Sequence, residues 1–372
     1  MPARGRLELA SKLYQRSVLP RVEAIASGQT LDAPVVVELD PTSFCDLACP
    51  ECVSGPLLQQ ARFTRERLMS LGAELIEAGV RAVVLIGGGE PLMHPAIGDL
   101  IETLGSAGVQ VGLTTNGTLL DRYMQPIARH TAWTRVSVDA ASQETYQRFR
   151  PHRGAASVFP QVIAGMRRLA RVKQGTLGYS FVLLGRYTAS GTLIASNYGE
   201  LRQAARLAKD IGCDYFEVKP EYDLAHRLRV LPEAVTAQLR RDLDYLDALS
   251  DVTFEVVSPT TLRDVIDGGR LEQPKTYHEC PVAKLRTLIS ASGAYICPYH
   301  RGRAVARFGD PQVESFETMW LRHREGAVGQ ATSPMDDCQF HCIRHETNRA
   351  IIEMTGAHAP PAEEVPDYDL FI

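Results

Sequence analysis

Three cysteines, Cys45, Cys49 and Cys52, stand in the run Phe44-Cys45-Asp46-Leu47-Ala48-Cys49-Pro50-Glu51-Cys52, a CxxxCxxC spacing. Three thiolates on one short loop can hold three corners of a [4Fe–4S] cube and leave the fourth iron without a protein ligand. An iron left open is a place for reaction, as an open position is at catalytic zinc. The same spacing also suits half of a zinc knuckle, or three unrelated core cysteines.

Five more cysteines follow: Cys213 alone, then Cys280, Cys297, Cys338 and Cys342. Two groups and a stray do not look like a disulfide framework, which belongs to small secreted domains. Clustered cysteines in an intracellular-looking chain point instead to metal or redox chemistry. Composition agrees with a globular chain: 372 residues, 45% hydrophobic and 23% charged, net charge -4, with no long run of one sign to suggest nucleic acid. Residues 1–32 carry Arg4, Arg6, Lys12, Arg16 and Arg21 without an apolar core and so do not read as a secretory signal. They read as a helical extension ending before Gly28. No stretch approaches the roughly 18 apolar residues that would span a bilayer. The expected location is cytoplasmic.

The elements that must position the first cysteines alternate strand and helix. Strands are expected at Val35–Leu39, Ala82–Ile86, Val109–Leu113, Arg135–Val138, Leu177–Leu184 and Tyr215–Val218, with a possible last one at Thr253–Val257. Helices are expected at 64–78, 95–107, 121–130, 157–172, 198–211 and 231–249, on apolar residues at helical spacing and on glycines at their ends. Six βα units with short connections imply parallel strands, right-handed crossovers and an α/β fold, a partial (β/α)6 TIM-type barrel over residues 33–258. Sites in such folds lie at the strands' C-terminal ends, where the cysteine loop also falls.

The second strand runs into Gly87-Gly88-Gly89-Glu90-Pro91, the third ends in Thr115-Asn116-Gly117, and the fourth ends in Ser137-Val138-Asp139. With the cysteine loop and the arginines after the fourth strand, this series over residues 33–225 resembles the radical SAM enzymes. The resemblance implies that Cys45, Cys49 and Cys52 ligate a cluster whose open iron is chelated by S-adenosylmethionine. Gly88, Gly89 and Glu90 would hold the methionine ammonium, with Asn116 among the cofactor-binding residues. Ser137 and Asp139 would lie near the ribose or carboxylate, and Arg150 or Arg153 would pair with the carboxylate, two alternatives left open here. Glu51 departs from the family, where an aromatic residue commonly precedes the third cysteine. The implied activity is reductive cleavage of S-adenosylmethionine to a 5′-deoxyadenosyl radical that abstracts hydrogen. Electrons would come from a low-potential donor such as flavodoxin or ferredoxin.

After Cys280 the strand–helix rhythm stops. A hairpin is expected at 288–297, turning at Ser292-Gly293. Residues 276–372 resemble the Twitch or SPASM extensions, small domains that hold an auxiliary [4Fe–4S] cluster, here on Cys280, Cys297, Cys338 and Cys342. A structural zinc on the same cysteines is the alternative, and His300, His341 or His345 could replace one ligand. Cys213 reads as a core thiol, or as a hydrogen-atom donor if it faces the barrel interior. Four ligands leave no open iron, which favours electron transfer and hence dehydrogenation. The expected substrate is a small polar metabolite (a sugar, aminocyclitol or sugar nucleotide), with dehydrogenation or epimerisation as the outcome. The alternative is a maturase acting on a peptide or protein side chain. Glu221, Asp223 and His226, after the sixth strand, are candidate general bases.

Overall fold

A computed structural model describes residues 9–154, 156–190, 192–223, 226–267, 274–326, 332–354 and 365–372. The first eight residues of the expected extension lie outside the described residues. The rest of it forms a 3-10 turn at Ala10–Tyr14 and a helix at Leu19–Ala26.

The first strand, Val36–Asp40 (β1), is buried throughout, Glu38 and Asp40 included. Strands Ala82–Leu85 (β2), Gln110–Thr115 (β3), Thr131–Ser137 (β4) and Thr176–Val182 (β5) follow. A short hairpin, Gly185–Tyr187 (β6) and Leu193–Ser196 (β7), interrupts the series. Next come Tyr215–Lys219 (β8) and Glu255–Val257 (β9), then Arg286–Ser290 (β10), Gly293–Tyr295 (β11) and Arg307–Gly309 (β12). Ten of these form one sheet in the order β12-β11-β10-β1-β2-β3-β4-β5-β8-β9. Its strands are parallel from β10 to β9, and only β10–β11 and β11–β12 are antiparallel. Among the described residues no pairing joins β12 to β9, so the barrel is partial.

Strand alternation sorts the sheet's two faces. Val37, Leu39, Val83, Leu85, Val111, Leu113, Val136, Phe216 and Val218 pack in the main core with the helices Arg65–Glu77, Ile97–Ser106, Phe159–Val172 and Leu201–Ile211. Each of these helices needs a stop. Gly212, at φ +91°, supplies one for the helix Leu201–Ile211, where a side chain would be strained. The alternate residues, Glu38, Asp40, Thr114, Arg135, Ser137, Ser180, Glu217 and Lys219, take the inner face.

A second apolar cluster closes the strands' N-terminal end. It joins Val36, Ala82 and Val84 to Val18, Val22, Val282, Leu285, Leu370, Phe371 and Ile372. Trp133 meets Phe371 edge-on at 5.3 Å. Cys213 lies just before β8, buried in the main core. It is therefore at the strands' N-terminal end and not in the interior, which corrects the hydrogen-donor reading. The hairpin turn is also shifted: Ala291 and Ser292 form it, and Gly293 already pairs with Ser290. No helix among the described residues is long and apolar enough to cross a membrane.

Candidate active site

Backbone contacts lock the cysteine loop to the glycine-rich turn. Glu90 N donates to Phe44 O at 2.8 Å. A Cβ on Gly89 would stand 2.2 Å from that same oxygen, so only glycine allows the approach. Gly88 N donates to Asp40 Oδ2 at 2.8 Å, tying the turn to the end of β1. A third segment straps the loop from the other side. Ala48 N donates to Pro151 O and Arg153 N to Asp46 O, both at 2.8 Å, and Leu47 bridges to His152. The Arg153 side chain is exposed, and its Nε donates to Cys45 O at 3.0 Å. Arg150 is half-buried beside Asp139, its Nε donating to Oδ2 at 2.7 Å. Burial works against that guanidinium charge, but Asp139 and then Cys49 hold its pKa well above the ordinary arginine value. Asp139, at φ +56°, also accepts from Val182 N at 2.7 Å. Ser137 is half-buried and sits opposite Ser180 in register.

Glu90 is 2% exposed and turned inward. It accepts from Thr115 Oγ1 at 2.6 Å, Asn116 N at 2.7 Å and Leu92 N at 3.0 Å. Burial pushes its carboxyl up to about 7, against the pull of those three donors. In this arrangement it splints the second and third strand ends together. Asn116 Nδ2 donates to Asp46 Oδ1 at 2.7 Å and lies 3.9 Å from Cys45 Sγ.

The three thiols sense one another: Cys45 is in electrostatic reach of Cys49, and Cys49 of Cys52. Burial pushes Cys45 up to about 12 and Cys49 up to about 11, so a bound cation is what would make them thiolates. Among the described residues no three of Cys, His, Asp and Glu crowd closely enough to hold a single metal ion. A cubane asks for something wider, because each thiolate takes its own corner iron. The loop fits a cluster.

The four later cysteines also converge. Cys280 and Cys342 are each in electrostatic reach of the other three, and burial raises Cys280, Cys297 and Cys338, the last to about 12. His300 Nε2 lies 3.4 Å from Cys338 Sγ, and His345 Nδ1 lies 2.9 Å from Tyr277 Oη. His341 stacks on Tyr222. Register explains the location: Leu288 pairs with Glu38 on one side and with Tyr295 on the other, two residues before Cys297. Glu38 holds Arg286 at 2.8 Å and Arg344 at 2.5 Å, and Arg344 lies within electrostatic reach of Cys297 and Cys342. Higher up, Arg301 reaches Asp40 at 3.6 Å. Asp40 Oδ1 and Arg301 Nε are buried without hydrogen-bond partners.

The three base candidates are spread along one loop. Glu221 accepts from Gly185 N at 3.2 Å and pairs with Arg229 at 3.1 Å. Burial raises its pKa, and Arg229 opposes the rise. Asp223 accepts from Arg227 N at 2.9 Å within its own turn. His226 packs edge-on against Tyr299 and Phe340, and burial lowers its pKa. Glu51 finds its place too: it forms a fork with Arg186 (Nη2–Oε2 3.1 Å), which lies over Phe149 and so ties the β6–β7 hairpin to the cysteine loop. Sequence reasoning missed this pair, the Glu38 triad and the Asp40–Arg301 contact. The available signal was the polar pair at period two within Val36-Val37-Glu38-Leu39-Asp40.

Residues 39–190 match the family model for the Radical SAM superfamily. These residues thus carry a radical SAM domain, a family whose members use a [4Fe–4S] cluster and S-adenosylmethionine. An AdoMet-dependent heme synthase from Methanosarcina barkeri is 27% identical over 191 residues, covering 50% of each chain. A GTP 3′,8-cyclase from Rhizobium leguminosarum bv. trifolii is 25% identical over 306 residues, 74% of this chain and 82% of the relative. The mycofactocin maturase MftC of Mycobacterium tuberculosis is 28% identical over 200 residues, 51% of this chain and 49% of the relative. Against the heme synthase and the maturase the chain thus spans only about half of the relative's length. In fold it is similar to Streptococcus suis SuiB, solved with its precursor peptide SuiA, at a TM-score of 0.58 and 14% identity, over 82% of this chain and 68% of SuiB.

Proposed function

We propose that this radical SAM enzyme acts on a small polar metabolite and removes two hydrogens from it, with residues 276–372 holding an auxiliary [4Fe–4S] cluster. The observation that carries the proposal is the convergence of Cys280, Cys297, Cys338 and Cys342 beside the strand that delivers Cys45. Cys45, Cys49 and Cys52 would hold the first cluster, and the turn from Gly88 to Glu90 with Asp139 and Arg150 would bind S-adenosylmethionine next to it. Bound there, that pair supplies the 5′-deoxyadenosyl radical that takes a hydrogen atom. The chain's own share is to orient the substrate, exclude water and accept one proton, while the auxiliary cluster would supply the acceptor for the remaining electron. Glu221, Asp223 and His226 are the candidates for that proton. His226 faces the later cysteines through Tyr299 and Phe340. We place the reaction in the cytoplasm, with a flavodoxin- or ferredoxin-type donor.

A second reading, a maturase of peptide side chains, draws support from the 28% identity to MftC. Anaerobic reconstitution tests the chemistry. The proposal expects roughly eight irons per chain, 5′-deoxyadenosine on reduction with dithionite, and about four irons left after Cys297→Ala. Zinc in the later site, or no cleavage of S-adenosylmethionine, refutes it. Transfer of deuterium from labelled sugars, but not from peptides, into 5′-deoxyadenosine separates the two readings.

A further inference from the structure

The wall formed by β4 and β8 lies three and five strands along the sheet from β1 and carries charges that the roles above leave unused. Arg135 and Lys219 share one carboxylate, Glu217, at 3.2 and 2.9 Å. Arg135 also donates to Thr114 Oγ1 at 3.2 Å, while its Nε is buried without a partner. A guanidinium offers five N–H donors and an ammonium three, so most of both remain available. Burial and then the neighbouring Arg135 lower the Lys219 pKa, as expected for two cations packed together.

Three carboxylates on or just after the neighbouring strands are already matched. Glu38 lies between Arg286 and Arg344, Asp40 faces Arg301, and Asp139 is paired with Arg150. At these strand positions four carboxylates, with Glu217, thus meet six cations, apart from the Glu51–Arg186 and Glu221–Arg229 pairs and the Glu90 and Asp46 carboxylates of the cysteine end. Arg344 and its neighbour Arg286 stand within electrostatic reach of Cys280, Cys297 and Cys342, whose thiolate charge they can balance. At Arg135 and Lys219, Glu217 is the one carboxylate in ion-pair contact among the described residues; Glu38 and Asp139 act on them from further away and are themselves paired with arginines. Beneath them the wall is shaped by two rings: Trp133 lies over Gly112 and Tyr215 over Gly178, where a Cβ would stand 2.3 and 2.0 Å from the ring atoms. The Arg135 guanidinium sits 5.7 Å from the Trp133 ring.

We propose that Arg135 and Lys219 seat an oxyanion of the substrate, so that the molecule acted on is a small phosphate ester or carboxylate. A planar fork beside a point charge suits such a group. An aminocyclitol would bring a third cation, and a neutral sugar would leave the surplus unmatched. The inference narrows the substrate class of the reading above and rests on it.

The test titrates inorganic phosphate, and separately succinate, into the reconstituted holoenzyme at constant ionic strength. Trp133 fluorescence is the readout, in a Trp320→Phe background that removes the chain's other tryptophan. We expect a saturable change that Arg135→Gln and Lys219→Gln each weaken by about tenfold or more and Lys219→Arg keeps within about threefold. Tighter phosphate binding assigns an ester, and tighter succinate binding a carboxylate. If the Gln variants do not fold, the wild-type titration still decides. A calorimetric titration with no binding of either anion overturns the proposal, as do Gln variants that bind like wild type. 5′-Deoxyadenosine formation in the same sample reports on the parent reading. Cleavage without anion binding sinks the oxyanion seat alone, and anion binding without cleavage sinks the parent reading alone.

Discussion

Replacing Glu38 by Gln removes the one charge that lets two arginines sit side by side inside the barrel. The side chains of Arg286 and Arg344 are only 11% and 7% exposed, and Glu38 is 4% exposed between them. Burial alone would raise the Glu38 pKa, but the two arginines bring it down to about 2 from an ordinary 4.5. At roughly 1.4 kcal/mol per pH unit, that preference for the ionised form stabilises the fold by about 3 kcal/mol. Removing one member of a buried ion pair independently costs about 3–5 kcal/mol. Glu38→Gln should therefore lose about 3 kcal/mol in urea denaturation at pH 7. The sign with pH is fixed, because a depressed carboxyl contributes fully above its unfolded value of 4.5 and nothing below its folded one. The gap between wild type and variant should close as pH falls from 4.5 to about 2. Adding Arg286→Met to Glu38→Gln should recover part of the loss by removing a stranded charge. A loss below about 1 kcal/mol, or a gap constant with pH, would refute the reasoning.

Three smaller perturbations probe other joints. Gly89→Ala places a methyl 2.2 Å from Phe44 O and must push the cysteine loop from the glycine turn. Reconstituted protein should then hold less than about half the iron that Cys45, Cys49 and Cys52 otherwise retain, and wild-type iron would show the contact to be dispensable. Glu51→Ala frees Arg186 and the β6–β7 hairpin. A partly exposed pair is worth about 1 kcal/mol, so cleavage by trypsin after Arg186 should quicken roughly fivefold, and an unchanged rate counts against the clamp. Cys213→Ala should leave product formation within about twofold of wild type, since the thiol lies at the far end of β8. Loss of turnover with the fold intact would restore it as a hydrogen donor.

The sequence made the parallel core legible because its strands are covered on both faces. Val83, Val84 and Leu85 leave no polar face to confuse with a helix, and Gly79, Gly108 and Gly212 after three of the helices marked the spacing. The end that carries the cysteine loop was legible for a related reason: its candidate residues lie on consecutive loops, so their order in the chain is their order around the site. What stayed hidden depends on pairing between distant segments. Nothing in Arg286-Thr287-Leu288-Ile289-Ser290 says that this strand will lie parallel to β1. Local pattern predicted the hairpin but not the sheet it joins.

That one pairing decides how the two cysteine groups relate. With β10 against β1, Leu288 stands between Glu38 and Tyr295, and the chain then turns through Cys297 towards Arg301 and Asp40. The inner face of β1 thus touches both groups of cysteines through two carboxylates. Glu38 does so through Arg344, and Asp40 through Gly88 on one side and Arg301 on the other. A substrate seated on Arg135 and Lys219 would lie across the interior from this strand, with the radical source and the later cysteines along the facing wall. Moving β10 by one residue would turn Arg286 outward and leave Glu38 with one cation. The register of a single parallel pair therefore sets both the stability of the interior and the spacing of its two groups of cysteines.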